Sequence, residues 1–250
     1  MELLGVDIGG SGIKAAIVDL NTGELISERK RIPTPRPSEP EAVANCVDEM
    51  IKSFSWEGPV GIAFPTVIKN GKALRYGNLS KSWQNVQIDE LLNGISGNEC
   101  FVLNDADAAV KAEMKYGAGK NEKGLIILIT IGTGLGSGVF FNGELLPNVE
   151  LGRIYGKRGD IMESFAADSA RKREDLNYKE FGKRINFFLS HVEQTLNPDQ
   201  FIIGGGISKK MHKFSDYLDL ETPIIPAKLL NNAGIIGAAI FAEEKINENK

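Results

Sequence analysis

Two glycine-rich segments hold the residues best suited to chemistry. The first is Gly5-Val6-Asp7-Ile8-Gly9-Gly10-Ser11-Gly12-Ile13-Lys14. The second is Ile129-Thr130-Ile131-Gly132-Thr133-Gly134-Leu135-Gly136-Ser137-Gly138. Each begins in a β-branched apolar run and ends in another, Ala15 to Val18 and Val139 to Phe141. Each therefore reads as strand, turn, strand, which is a hairpin. Glycine lacks Cβ, so backbone N–H groups can crowd around an anion. Two such hairpins facing each other would grip a phosphate chain. A dinucleotide fingerprint needs a helix directly after its glycines, and here a strand follows both times. The P-loop spacing is absent from both. Ordinary hairpin turns are the plain alternative for either loop. Asp7 in one loop and Thr130 and Thr133 in the other weaken that alternative for the pair.

Several carboxylates could act beside such loops. Asn104-Asp105 lies where a strand ends and a helix begins, the place where open α/β sheets hold ligands. A helix N-terminus favours an ionised carboxylate there, so Asp105 could accept a proton from a hydroxyl as a general base. The alternative is that Asp105 or Asp107 caps the helix, a role that suits Asp107. Asp7, at the end of the first strand, could hold Mg²⁺ directly or through water, or could stabilise its own turn. Glu150, in Val149-Glu150-Leu151-Gly152-Arg153, could accept sugar hydroxyls; alone it reads more readily as a solvated surface residue. The basic stretches Arg171-Lys172-Arg173 and Lys209-Lys210 are solvated faces or a track for a polyanion. His191 and His212 stand isolated, and no chemistry is assigned to them.

These residues need elements to position them. Residues 2–8 and 13–20 form the first hairpin, and 24–32 a third strand. Three prolines between Pro33 and Pro37 make a loop. Ser38 is placed to cap a helix over 40–54, whose Val43, Val47, Met50, Ile51 and Phe54 recur at helical spacing. Strands are expected at 59–64, 101–103 and 201–203, and helices after Asp105, at 162–174, at 179–196 and at 232–245. The order suggests an α/β fold of two related halves. The expected division is an N-terminal lobe of 1–118, completed by the C-terminal helix 236–250, and a C-terminal lobe of 119–235.

Composition narrows the class. A chain of 250 residues suffices for one large domain or two small lobes. A formal net charge of -4 argues against a nucleic-acid binder. Cys46 and Cys100 are the only cysteines, too few for a disulfide framework or a zinc cluster, so reduced thiols in a cytoplasm are expected. The sequence shows no signal peptide and no apolar run long enough to span a bilayer.

Taken in order, these motifs resemble the ROK family of sugar kinases, in the actin-like ATPase superfamily, and within it the polyphosphate glucokinase branch. The resemblance also runs through Gly61-Ile62-Ala63-Phe64-Pro65, Lys81-Ser82-Trp83, Arg173-Glu174-Asp175-Leu176, Gly204-Gly205-Gly206-Ile207-Ser208-Lys209-Lys210 and Asn231-Asn232-Ala233-Gly234. It implies a two-lobed actin-like (ribonuclease H-like) α/β fold with a cleft between the lobes. It implies transfer of a phosphoryl group from polyphosphate, ATP or both to the 6-hydroxyl of glucose or a related hexose. Gly9, Gly10, Ser11, Gly12, Lys14, Thr133, Gly134 and Gly136 would bind phosphate, with Mg²⁺ at Asp7. Asp105 would take the proton, and Asn104, Glu150, Arg153 and Glu163 would meet the sugar. Gly204, Gly205, Gly206, Lys209 and Lys210 would line a nucleotide or polyphosphate channel. A homodimer is expected, with no nucleic-acid or membrane partner. The cysteine motif that binds zinc in most ROK proteins is missing, so no zinc is expected. The family's Glu-x-Gly-His ends here in Arg153, which leaves open a catalytically weak sugar-binding relative or an ATP-only kinase of another hexose. A ROK-type repressor is disfavoured, because the chain starts at the phosphate hairpin without room for a helix-turn-helix.

Overall fold

The first apolar run forms β1 (Glu2–Gly9) and returns as β2 (Gly12–Asp19), with Gly9 opposite Gly12 and Gly10-Ser11 as the turn. The second does the same as β9 (Leu125–Ile131) and β10 (Leu135–Phe141), with Ile131 opposite Leu135. The computed structural model describes residues 1–156 and 159–248, so 249 and 250 of the expected closing helix lie outside it. It divides into two compact units, Met1–Ala112 with Asn232–Lys250, and Glu113–Asn231.

In the first unit, β3 (Glu24–Leu25) and β4 (Lys30–Ile32) both pair with β2. After α1 (Pro40–Ser53), β5 (Val60–Phe64) joins β1 in parallel. A small ribbon of β6 (Ile68–Lys69) and β7 (Lys72–Ala73), then α2 (Ile88–Ser96), lead to β8 (Cys100–Asn104), parallel to β5. The sheet runs β3-β2-β1-β5-β8, and α3 (Asp105–Tyr116) follows it. Leu4, Val6 and Ile8 of β1 pack with Val43, Val47, Met50 and Ile51 of α1. The last helix, α7 (Ala233–Glu248), lies close on β1 and β5. That approach requires glycine: a Cβ on Gly61 would stand 1.9 Å from the Ala238 carbonyl oxygen.

The second unit repeats the plan. With β11 (Glu144–Leu146), β12 (Gln200–Gly204) and β13 (Ile224–Pro226), its sheet runs β11-β10-β9-β12-β13. In both sheets an antiparallel hairpin is extended by two parallel strands. The helices are α4 (Met162–Ala166), α5 (Asp168–Arg173) and α6 (Tyr178–Leu196). Phe181, Ile185, Phe188, Leu189 and Val192 of α6 bury against Ile127, Ile129, Phe201 and Ile203.

Four local expectations are corrected. The run 24–32 is not one strand, because the Ser27 hydroxyl takes the N–H of Ile17 and replaces a ladder bond. Residues 162–174 are not one helix. Ala167 is extended, because two residues on, Ser169 donates its N–H to the Gly132 carbonyl and its hydroxyl to that of Thr133 instead of continuing the helix ladder. Ser38 does not cap α1. Pro40 opens that helix without an N–H to satisfy, and the Ser38 hydroxyl accepts from the Ser80 N–H. Asp107 is not the cap of α3. Asn104 Oδ1 accepts from the N–H groups of Ala106 (2.8 Å) and Asp107 (3.0 Å), one turn earlier.

Candidate active site

In the first unit, Asp7 lies two residues before the end of β1, beside Phe64 and Asn104, which end the neighbouring parallel strands β5 and β8. Ligands of α/β sheets collect at such carboxyl ends. Asp7 faces Lys14 across the hairpin, and Lys14 Nζ donates to Asp7 Oδ2 at 2.8 Å. The start of α7 comes up beside this carboxylate; a Cβ on Gly234 would stand 3.0 Å from its carboxyl carbon. Arg31 steadies the turn by donating to the Ser11 carbonyl at 2.8 Å, and Thr34 donates to that of Gly9. Neither residue stood out in the sequence.

Asn104 is buried and almost fully engaged. Besides capping α3, its amide donates to the Thr66 carbonyl at 2.9 Å. Both lone pairs of its oxygen and one of its two N–H donors are therefore used, leaving one donor. Asp105, the next residue, is half-buried in the first turn of α3, with Oδ1 accepting from Ala106 N–H at 2.8 Å. Nearby, Trp83 packs against Phe64 with ring centroids 4.7 Å apart and planes tilted by 58°, and donates to the Ser38 carbonyl. The Lys81-Ser82-Trp83 motif thus braces the end of β5.

In the second unit, the turn Gly132-Thr133-Gly134 is tied down on two sides. Ser169 holds the carbonyls of Gly132 and Thr133, and Glu163 Oε2 accepts from Leu135 N–H at 3.0 Å. Gly204 ends β12 opposite Thr130, and Gly205, at φ +76°, passes so close to Ile131 that a Cβ would meet its carbonyl oxygen at 2.5 Å. The structure therefore joins the second hairpin, the Gly204–Gly206 segment and Glu163. Glu150 is half-buried at the start of a 3-10 turn, Leu151–Arg153, and Arg153 is exposed. Lys209 and Lys210 are exposed on another 3-10 turn, Ser208–Lys213.

The arginines of the basic stretch have partners. Arg171 Nε donates to Asp168 Oδ1 at 2.7 Å and lies over the Tyr178 ring. Burial raises the Asp168 pKa, but Lys172 and Arg171 outweigh it and hold the carboxyl below its usual range. Arg173 and Arg184 both bind Glu174, at 2.8 Å and 2.6 Å, beside a cavity of about 550 Å³ also lined by Phe165 and Phe187.

Mg²⁺ is implied by the phosphate reading. The ion keeps several waters and takes one or two carboxylates plus substrate phosphates. A single carboxylate at a glycine turn, which is what Asp7 offers, fits that need. Among the described residues no group of three or more His, Cys, Asp or Glu stands together to cage a metal.

Residues 3–150 match the ROK family. The chain belongs to this family. It is 44% identical to a polyphosphate glucokinase of Mycobacterium tuberculosis over 94% of this chain and 89% of that one. Among solved structures, the inorganic polyphosphate/ATP-glucomannokinase of Arthrobacter sp. strain KM superposes with a TM-score of 0.94 at 45% identity, covering 98% and 99% of the two chains. A ROK family glucokinase from Streptomyces griseus, in complex with glucose and AMPPNP, shares the fold with a TM-score of 0.83 at 23% identity over 98% and 100%. The fold is that of the ROK sugar kinases, the two-lobed actin-like ATPase fold. Among the described residues, no helix is long and apolar enough to cross a membrane.

Proposed function

We propose that this ROK protein is a sugar kinase that transfers a phosphoryl group from polyphosphate, ATP or both to the 6-hydroxyl of glucose or a related hexose. The observation that carries this reading is 44–45% identity, over at least 94% of the chain, to proteins named polyphosphate glucokinase and polyphosphate/ATP-glucomannokinase.

In the proposed reaction the sugar O6 attacks the terminal phosphorus of the donor. The O6–H proton passes to Asp105, and the bond from phosphorus to the bridging oxygen breaks, leaving ADP or a shortened polyphosphate. Phosphoryl transfer needs mainly positioning and charge neutralisation. Backbone N–H groups at Gly9–Gly12 and at Thr133, Gly134 and Gly136, together with Lys14, hold phosphate oxygens. Asp7 would hold Mg²⁺, which would supply charge neutralisation at the phosphates; no zinc is called for. Asn104 offers its remaining N–H to a sugar hydroxyl, while Glu150 and Glu163 accept from others. Gly204–Gly206, Lys209 and Lys210 flank the donor's path.

Two unpaired cysteines, Cys46 and Cys100, suit a reducing compartment, and a cytoplasmic location is proposed. The resemblance to ROK kinases supports a homodimer, which sedimentation velocity would read directly. The decisive test is a coupled assay for glucose 6-phosphate with ATP or polyphosphate as donor. Turnover with either donor is expected; none with any hexose and both donors would overturn the reading.

A further inference from the structure

Ser137 lies on β10, just beyond the second glycine turn, and is 4% exposed. Its hydroxyl makes two bonds to one distant segment. It donates to the Val149 carbonyl oxygen and accepts from the Leu151 N–H at 2.8 Å. Those two groups bracket Glu150 on either side.

Glu150 itself has φ -105° and ψ 67°, outside the helical and extended regions, and its carbonyl accepts from Arg153 N–H at 3.0 Å. No regular element holds such a backbone. The direction of its side chain depends on what fixes the neighbouring peptide groups. With its proton donated and an oxygen lone pair taken, the buried Ser137 hydroxyl is committed to the backbone.

We infer that Ser137 is a positioning residue for Glu150 and thereby sets the affinity for the sugar. The inference rests on the proposed role of Glu150 as a sugar ligand. Because β10 begins at Leu135, whose N–H holds Glu163, the same strand steadies both sugar carboxylates. Loss of the hydroxyl frees the 149–151 segment while leaving the glycine turn and its backbone N–H groups in place. The defect should therefore fall on the sugar and spare the donor.

The test is steady-state kinetics of Ser137→Ala, Ser137→Cys, Glu150→Gln and the Ser137→Ala/Glu150→Gln double variant. Ser137→Ala is expected to raise the KM for glucose about tenfold, with kcat and donor KM within about twofold. Ser137→Cys, which keeps a weak donor and acceptor, should fall between it and the wild type. It carries the same measurement if Ser137→Ala does not fold. In the double variant the Ser137→Ala effect should vanish, since the residue it positions no longer binds. Amide exchange at Leu151, measured without substrate, should speed up in Ser137→Ala. An unchanged glucose KM in Ser137→Ala, with a raised one in Glu150→Gln, would overturn the role of Ser137 alone. An unchanged KM in Glu150→Gln would overturn the sugar role of Glu150 and this inference with it. Equal rises in glucose and donor KM would mark a general loosening of the hairpin and overturn the inference too.

Discussion

Lys14 and Asp7 stand directly opposite each other on β2 and β1 and share an ion pair of 2.8 Å, each side chain less than a third exposed. The pair sits two residues from the glycine turn proposed to bind phosphate. On the proposed function, a phosphate chain arriving there would offer Lys14 a second anion and Mg²⁺ would offer Asp7 a second cation, so the pair is expected to exchange partners on donor binding. Asp7→Asn is expected to lower kcat by about 10²-fold and to raise the Mg²⁺ concentration needed for half-maximal rate. A magnesium titration with an unchanged midpoint would remove Asp7 from the metal site.

Asp105 and Asn104 are neighbours with separable jobs. Asp105→Asn keeps the shape and removes the proton acceptor. A kcat loss of roughly 10²–10⁴ is expected, with glucose binding retained in equilibrium titration. Asn104→Ala instead removes the cap of α3 and the bond to Thr66. It should cost about 1–3 kcal/mol in denaturant unfolding. Near-normal turnover in Asp105→Asn would rule it out as the base.

Arg171 is tied to Asp168 and Arg173 to Glu174, whereas Lys209 and Lys210 are exposed. Polyphosphate has no base to recognise, so its binding should lean on cations that are not already paired. Lys209→Gln/Lys210→Gln is expected to raise the KM for polyphosphate several-fold more than that for ATP, and more so at low salt. Arg171→Gln should mainly lower Tm. Equal effects of the lysine changes on both donors would move the track elsewhere.

Arg153 takes the place of the histidine in the ROK pattern Glu-x-Gly-His and is exposed. A neutral histidine donates one hydrogen bond and accepts another, which suits a hydroxyl, whereas arginine only donates. Arg153→His is expected to lower the KM for glucose and to leave the donor KM little changed. A glucose KM that stays level or rises would identify Arg153 as an adapted ligand and point to a different sugar.

The glycine hairpins, the amphipathic face of α1 and the long α6 were legible because each rests on a local repeat: alternation, or apolar residues at helical spacing. The nine-residue α2 was not. Its Ile88, Leu91, Leu92 and Ile95 are interrupted by Gly94 and closed at once by Gly97, which reads as loop. At the site, Asp7, Asn104 and Asp105 announced themselves by standing at strand ends. Arg31, Thr34 and Ser137 did not, since each acts by bonding a backbone group of a remote segment, and no spacing in a sequence encodes that. Glu113 is the extreme case. Fully buried, it accepts from the N–H groups of Ala118, Lys228 and Leu229 and so pins the chain shortly before α7. The sequence gives no sign of this, since α3 also carries Asp105, Asp107, Lys111 and Lys115.

The helix that covers β1 and β5 is made long after them. During synthesis the sheet of residues 1–104 emerges with Gly5 and Gly61 on a face that has no partner until α7 arrives. At about 5–20 residues per second the wait from Ala112 to Glu248 is on the order of ten seconds. The intervening unit, Glu113–Asn231, has its own sheet and core and can close in that time. The sheet made before the intervening unit then matures after it, and for those seconds the face with Gly5 and Gly61 waits for its covering helix.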